Sequence, residues 1–140
     1  MYSKILVALD LTAADETLLP HIAQLASRMK SELLLVHVAD GWVARNYDEL
    51  ALRESEEMKD DRAYLARVQD QLVSRGFETR THLAMGEPAR ELVRVAEAEH
   101  VDLIAMSTHG HRLLNDIIRG STADRVRHNV SIPVLMIKAK

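Results

Sequence analysis

The chain has 140 residues, a formal charge of −3 from 18 Lys and Arg against 21 Asp and Glu, and no cysteine. A domain near 150 residues buries roughly 70 % of its unfolded surface, so one core suffices without disulfides or metals, and cysteine chemistry is excluded. The charge lacks the basic excess of a nucleic-acid binder, and no apolar run approaches a signal-peptide core or the ~20 residues of a membrane span, so a single cytoplasmic domain is expected.

Aromatic residues make up only 4 % of the chain, which leaves the core to Leu, Val, Ile, Ala and Met. Short apolar runs fall at 5–9, 33–38, 79–83, 103–106 and 134–137. Three of them are near-continuous, as in strands covered on both faces of a parallel sheet. The run at 79–83 is more polar and alternates, which predicts an edge strand.

The intervening stretches have helical spacing. In the first, Leu18, Ile22, Leu25, Ala26 and Met29 share a face. Thr12 is a candidate cap near its start, and Pro20 predicts either a start near Glu16 or a bend. In the second, Tyr64, Leu65, Val68 and Leu72 form a stripe and Gly76 follows as a C-terminal cap. Pro88 opens the third at a first helical position, with Leu92, Val93, Val95 and Ala96 on its apolar side. Ser121 or Thr122 opens the fourth, which runs to about Asn129. Strands alternating with helices build right-handed βαβ units. Five strands and four helices predict a doubly wound α/β sheet, in which ligands bind beyond the carboxyl ends of the strands.

Three strand ends are therefore candidate sites. The first closes on Ala8-Leu9-Asp10, where Asp10 can accept hydrogen bonds from a nucleoside or cap the following helix. At the second, Val38 can offer backbone groups and an apolar wall to an adenine ring, or can simply end its strand; His37 reads as a near-core histidine. The third end carries the longest signal, Ser107-Thr-His-Gly-His-Arg-Leu-Leu-Asn-Asp-Ile-Ile-Arg-Gly-Ser-Thr122. Glycines at 110 and 120 permit close backbone approach, and successive amides in such turns bind anions. A helix opening near Gly120 adds unpaired amides and its positive dipole end. Ser121 and Thr122 add hydroxyls, and His109, His111 and Arg112 add further donors. Singly, each glycine reads as an ordinary turn or spacer; together, in this sheet context, the string suits a polyphosphate. It is neither a Walker A loop nor the dinucleotide fingerprint.

His109 and His111 flank Gly110 without a cysteine, a poor ligand set for a transition metal; a magnesium ion carried on bound phosphates fits better. The acidic run Glu54, Glu56, Glu57, Asp60 and Asp61 reads as a solvated helix face. The stretch from Gly41 to Met58, with Trp42 and Tyr47, reads as a flap or as an extended loop. No residue stands as a base toward an attacking water, so no dedicated catalysis is expected, and at most slow ATP hydrolysis.

The chain resembles the universal stress protein family. The resemblance rests on Lys4-Ile-Leu-Val-Ala-Leu-Asp10, Leu34-Leu-Val-His-Val-Ala39, Gly86-Glu-Pro88, Asp102-Leu-Ile-Ala-Met106 and Ile132-Pro-Val-Leu-Met-Ile-Lys138. ATP-binding members carry G-x2-G-x9-G-[ST]; here Ser107 stands for the first glycine, and Gly110, the nine-residue spacer, Gly120 and Ser121 are kept. The resemblance implies a Rossmann-like or flavodoxin-like five-stranded sheet in the order 3-2-1-4-5. It implies adenosine against Ala8, Leu9, Asp10 and Val38, and phosphates against Met106, Ser107, His109, Gly110, His111, Arg112, Gly120, Ser121 and Thr122. The ligand would be ATP or AMP, with Mg on its phosphates. It further implies a homodimer paired through the strand from 132 to 138. The expected role is a nucleotide-dependent stress-response switch; the alternatives are a nucleotide-free dimeric interaction protein and a weak ATPase.

Overall fold

The computed structural model describes residues 1–39, 51–109 and 122–139, apart from the side chains of 51–56 and 109. The strands are β1 (Lys4–Ala8), β2 (Glu32–Ala39), β3 (Thr79–Met85), β4 (Leu103–His109) and β5 (Val134–Ala139). Between them run α1 (Asp15–Met29), α2 (Ala51–Ser74) and α3 (Pro88–Ala98), and α4 over 122–129. The sheet has the order β3-β2-β1-β4-β5, and each neighbouring pair is parallel.

Alternation along the strands decides which helices cover which face. In β1, Ile5 and Val7, with Leu9 just beyond, join Leu33, Leu35, Leu103 and Ala105 in one buried cluster. Leu18, Ile22 and Ala26 of α1 and Leu65, Val68 and Leu72 of α2 complete it. Leu6 and Ala8 turn the other way, with Leu34, Val36, Ile104 and Met106, onto Ala89, Leu92, Val95 and Ala96 of α3 and Ala123 and Val126 of α4. Two right-handed crossovers carry the chain outward from β1 to β3 on one face, and two carry it back past β1 to β5 on the other.

Pro20 lies inside α1 on its exposed side. Glu16, whose carbonyl loses the bond that a residue-20 amide would make, is also exposed, so water can meet that carbonyl. Thr12 does not cap α1. Its hydroxyl accepts from the Ala14 amide at 3.3 Å in the turn before the helix, and the capping position belongs to Ala14, without a side-chain cap. The cap of α3 is instead Glu87, whose carboxylate accepts from the amides of Ala89 and Arg90 ahead of Pro88. α2 ends at Ser74, and Gly76 takes φ +95° while Phe77 N–H reaches back to the Leu72 carbonyl, the left-handed helix stop foreseen for this glycine.

The two sheet edges differ. β3 exposes Arg80, Thr81 and His82, charged and polar residues of the kind that discourage edge pairing, and Met85 at its end. β5 leaves Val134, Leu135, Met136 and Ile137 all half-exposed.

Candidate functional site

The ladder between β1 and β4 stops at Val7 opposite Ala105. On the outer side of β1, pairing with β2 continues to Ala8 and Val36, and the Leu9 amide still donates to the Val36 carbonyl at 2.8 Å. On the outer side of β4, pairing with β5 runs on to His109 and Ala139. The two central strands therefore part beyond Val7 and Ala105, each held by its outer neighbour. This is the switch point at which the strand order reverses, and the place where such sheets hold ligands.

Ala8, Leu9 and Asp10 form one bank of the opening, and Met106 and Ser107 the other. Val38, at the end of β2, follows Val36 by two residues and so comes level with Asp10. Thr122 opens α4. That helix returns antiparallel to the strands, so its first turn lies at their carboxyl end. His109 ends β4, and its side chain lies outside the described residues, as do Gly110, His111, Arg112, Gly120 and Ser121 and most of the proposed flap with Trp42 and Tyr47. Of the acidic run, Glu57 and Asp60 are exposed. Asp61 instead stands half-buried, its Oδ2 3.9 Å from His37 Nε2. His37 Nδ1 meets the Leu9 carbonyl at 2.8 Å, which ties β2 to the bank carrying Asp10. Burial pushes the Asp61 carboxyl upward, against the opposing pull of His37.

Ser107 is the chemically informative position. It is 6 % exposed, and its Oγ has no hydrogen-bond partner among the described residues. An unsatisfied buried hydroxyl costs about 1–3 kcal/mol, and such groups are rare in folded proteins. By alternation from Ala105 it faces the α1 and α2 side, as does Ile137, opposite it on β5.

Asp15 was not anticipated as a site residue. It has no exposed surface. Its Oδ1 accepts from the Asp10 amide at 2.9 Å, and its Oδ2 from the Leu11 amide at 2.9 Å and the Tyr64 hydroxyl at 2.8 Å. Leu11 adopts φ +62°, a left-handed conformation that costs a side-chain-bearing residue roughly 1–2 kcal/mol. A signal was present in the sequence: position 15 continues the buried stripe of Leu18, Ile22 and Ala26, an odd place for a carboxylate without partners.

Burial is the largest influence on Asp15 and lifts its carboxyl above the ordinary aspartate value, with the neighbouring Asp10 charge adding to it, against the three donors. The folded chain therefore binds this proton more tightly than the unfolded chain. Between the unfolded and folded values stability falls as pH rises. Asp15→Asn is expected to flatten that acid-side slope in urea unfolding measured from pH 4 to 7; an unchanged slope would assign it to other groups.

No helix among the described residues is long and apolar enough to cross a membrane. Nor do the described residues include a cluster of three or more acidic or histidine side chains placed to hold a metal ion.

The strand order and the parting of β1 from β4 together define a doubly wound α/β protein. Residues 1–138 match the model of the Universal stress protein family, and the chain belongs to that family. It is 29 % identical to universal stress protein MJ0577 of Methanocaldococcus jannaschii, covering 100 % of this chain and 97 % of that one. The solved structure of MJ0577 superposes with a TM-score of 0.84 over 100 % of this chain and 98 % of that one. A second relative from the same organism, MJ0531, is 31 % identical over 99 % of this chain and 83 % of its own length. A universal stress protein of Archaeoglobus fulgidus, solved in complex with dAMP, is 26 % identical with a TM-score of 0.68, covering 98 % of each chain.

Proposed function

We propose that this chain binds an adenine nucleotide, ATP or AMP, in the crevice between β1 and β4, and that occupancy switches what the protein contacts. The buried Ser107 hydroxyl, without a hydrogen-bond partner among the described residues, carries the reading: it stands near the end of β4, and a bound phosphate oxygen would satisfy it. In this arrangement Ala8, Leu9, Asp10 and Val38 receive the nucleoside. Met106, Ser107, His109, Gly110, His111 and Arg112 receive the phosphates from one side, and Gly120, Ser121 and Thr122 from the other. Magnesium would ride on the phosphates, keeping most of its waters. The dAMP complex of the Archaeoglobus relative supports an adenine nucleotide as the ligand class.

Ser107→Ala tests the reading with two opposed signs. Removing an unsatisfied hydroxyl is expected to raise the stability of ligand-free protein by about 1 kcal/mol. The same change is expected to shrink the stabilisation given by Mg-ATP. In wild type that stabilisation reaches about 2.7 kcal/mol at a ligand concentration 100-fold above Kd. Mass spectrometry of gently purified protein should detect co-purifying ATP or AMP. A wild type that carries no nucleotide and does not respond to added ATP would refute the proposal.

Nucleotide occupancy would act on a homodimer paired through β5 and the preceding residues from Ile132 to Lys138. The four half-exposed apolar residues of β5 support this, because an unpaired apolar edge invites association and two-fold pairing removes it. Met136→Lys is expected to shift the protein from dimer to monomer in light scattering, with the fold intact by circular dichroism. A wild type that is monomeric at micromolar concentration would sink the dimer.

A further inference from the structure

We infer that Asp15 is a positioning residue of the crevice, holding the turn after β1 so that Asp10 is presented to the ligand. The inference rests on the nucleotide reading above, and it concerns a residue that would not itself touch the nucleotide. Two consecutive amides, those of Asp10 and Leu11, point into one carboxylate. A carboxylate offers two oxygens, which here accept from both amides and from Tyr64; asparagine has a single acceptor oxygen. Leu11 is kept at φ +62° between these anchors, and backbone strain held in place by its surroundings is a mark of functional sites.

The clamp joins three elements. Asp15 begins α1, its two amide partners continue from β1, and Tyr64 lies 49 residues further on in α2. The Leu9 carbonyl, one residue before the clamped amides, is fixed independently by His37 of β2. The bank that carries Asp10 is thus restrained from both sides, while the Ser107 hydroxyl of the opposite bank has no partner among the described residues. A carboxylate with no exposed surface is a costly way to close a turn, and here it closes the turn that borders the ligand crevice.

The test measures ATP affinity by calorimetry on the full chain, well below the melting temperature of each variant, where a purely structural contribution would leave Kd unchanged. Asp15→Asn is expected to weaken ATP binding about tenfold, the equivalent of a lost charge-assisted hydrogen bond. Adding Leu11→Gly to Asp15→Asn is expected to recover most of that loss, because glycine enters the left-handed region without a clamp. Tyr64→Phe keeps the ring and removes one donor; it is expected to weaken ATP binding a few-fold, and it serves where Asp15→Asn does not fold. Wild-type affinity in Asp15→Asn or in Tyr64→Phe would overturn the positioning role while leaving the nucleotide reading intact. A loss that Leu11→Gly does not relieve would also overturn it. A wild type that does not bind ATP would overturn both.

Discussion

Replacing Gly120 with valine is expected to abolish measurable ATP binding, weakening it by at least about 100-fold, while the fold and its thermal transition persist. α4 runs over 122–129, so Gly120 lies two residues before its first turn. The amides of a first helical turn have no partners within the helix, and the helix dipole places partial positive charge beside them. A phosphate drawn there gains charge-assisted hydrogen bonds, each contributing about 1.5–3 kcal/mol. A branched side chain at the entry to that turn blocks the approach, and losing two such bonds corresponds to two or more decades in Kd. Gly120 lies outside the described residues, so the expectation rests on its distance from α4 and on the spacing from Gly110. Calorimetric titration with Mg-ATP measures it, and wild-type affinity in Gly120→Val would show that the phosphates bind elsewhere.

The largest effect on stability is expected at Leu35. It lies on β2, between β1 and β3, is fully buried, and belongs to the cluster under α1 and α2. Leu35→Ala removes three carbons from a site flanked by paired strands, whose backbones cannot collapse into the space. Such substitutions cost about 3–4 kcal/mol, a large part of the 5–15 kcal/mol typical of a folded domain. At roughly 3 °C per kcal/mol for a chain of this size, the melting temperature should fall by about 10 °C. Val73, 52 % exposed on α2, is the control: Val73→Ala should change stability by less than about 0.5 kcal/mol. Urea unfolding of both variants separates a packing effect from a general sensitivity to substitution.

Much of the architecture was legible because the physical signals are local. Each buried strand is a short apolar run, and all five expected strands occur, most of them extended by a residue or two at the ends. β3 was readable as an edge from its alternation, since only a strand with an uncovered side tolerates Arg80 and His82. Pro88 and Gly76 stand at the helix start and stop that their restricted or permissive backbones suggest. Thr12 closes the turn before α1 rather than capping the helix: a hydroxyl two residues before Ala14 can do either, and local sequence does not choose between them. Glu87 carries no cap signal in the sequence, since glutamate seldom serves as one and its grip on the Ala89 and Arg90 amides is set by the backbone turn at Gly86.

The amino-acid sequence by itself determined the alternation of strands and helices, the aliphatic core and the glycine-spaced string from Ser107 to Thr122, because each depends on residues close together in the chain. Only the tertiary structure decided where β1 and β4 part, that Ser107 is enclosed with no partner among the described residues, and that Asp15 grips the turn carrying Asp10 with Tyr64 at its back. Those features depend on strand register and on contacts between residues as far apart as 15 and 64, and no local propensity encodes the distance between atoms that the chain brings together only on folding.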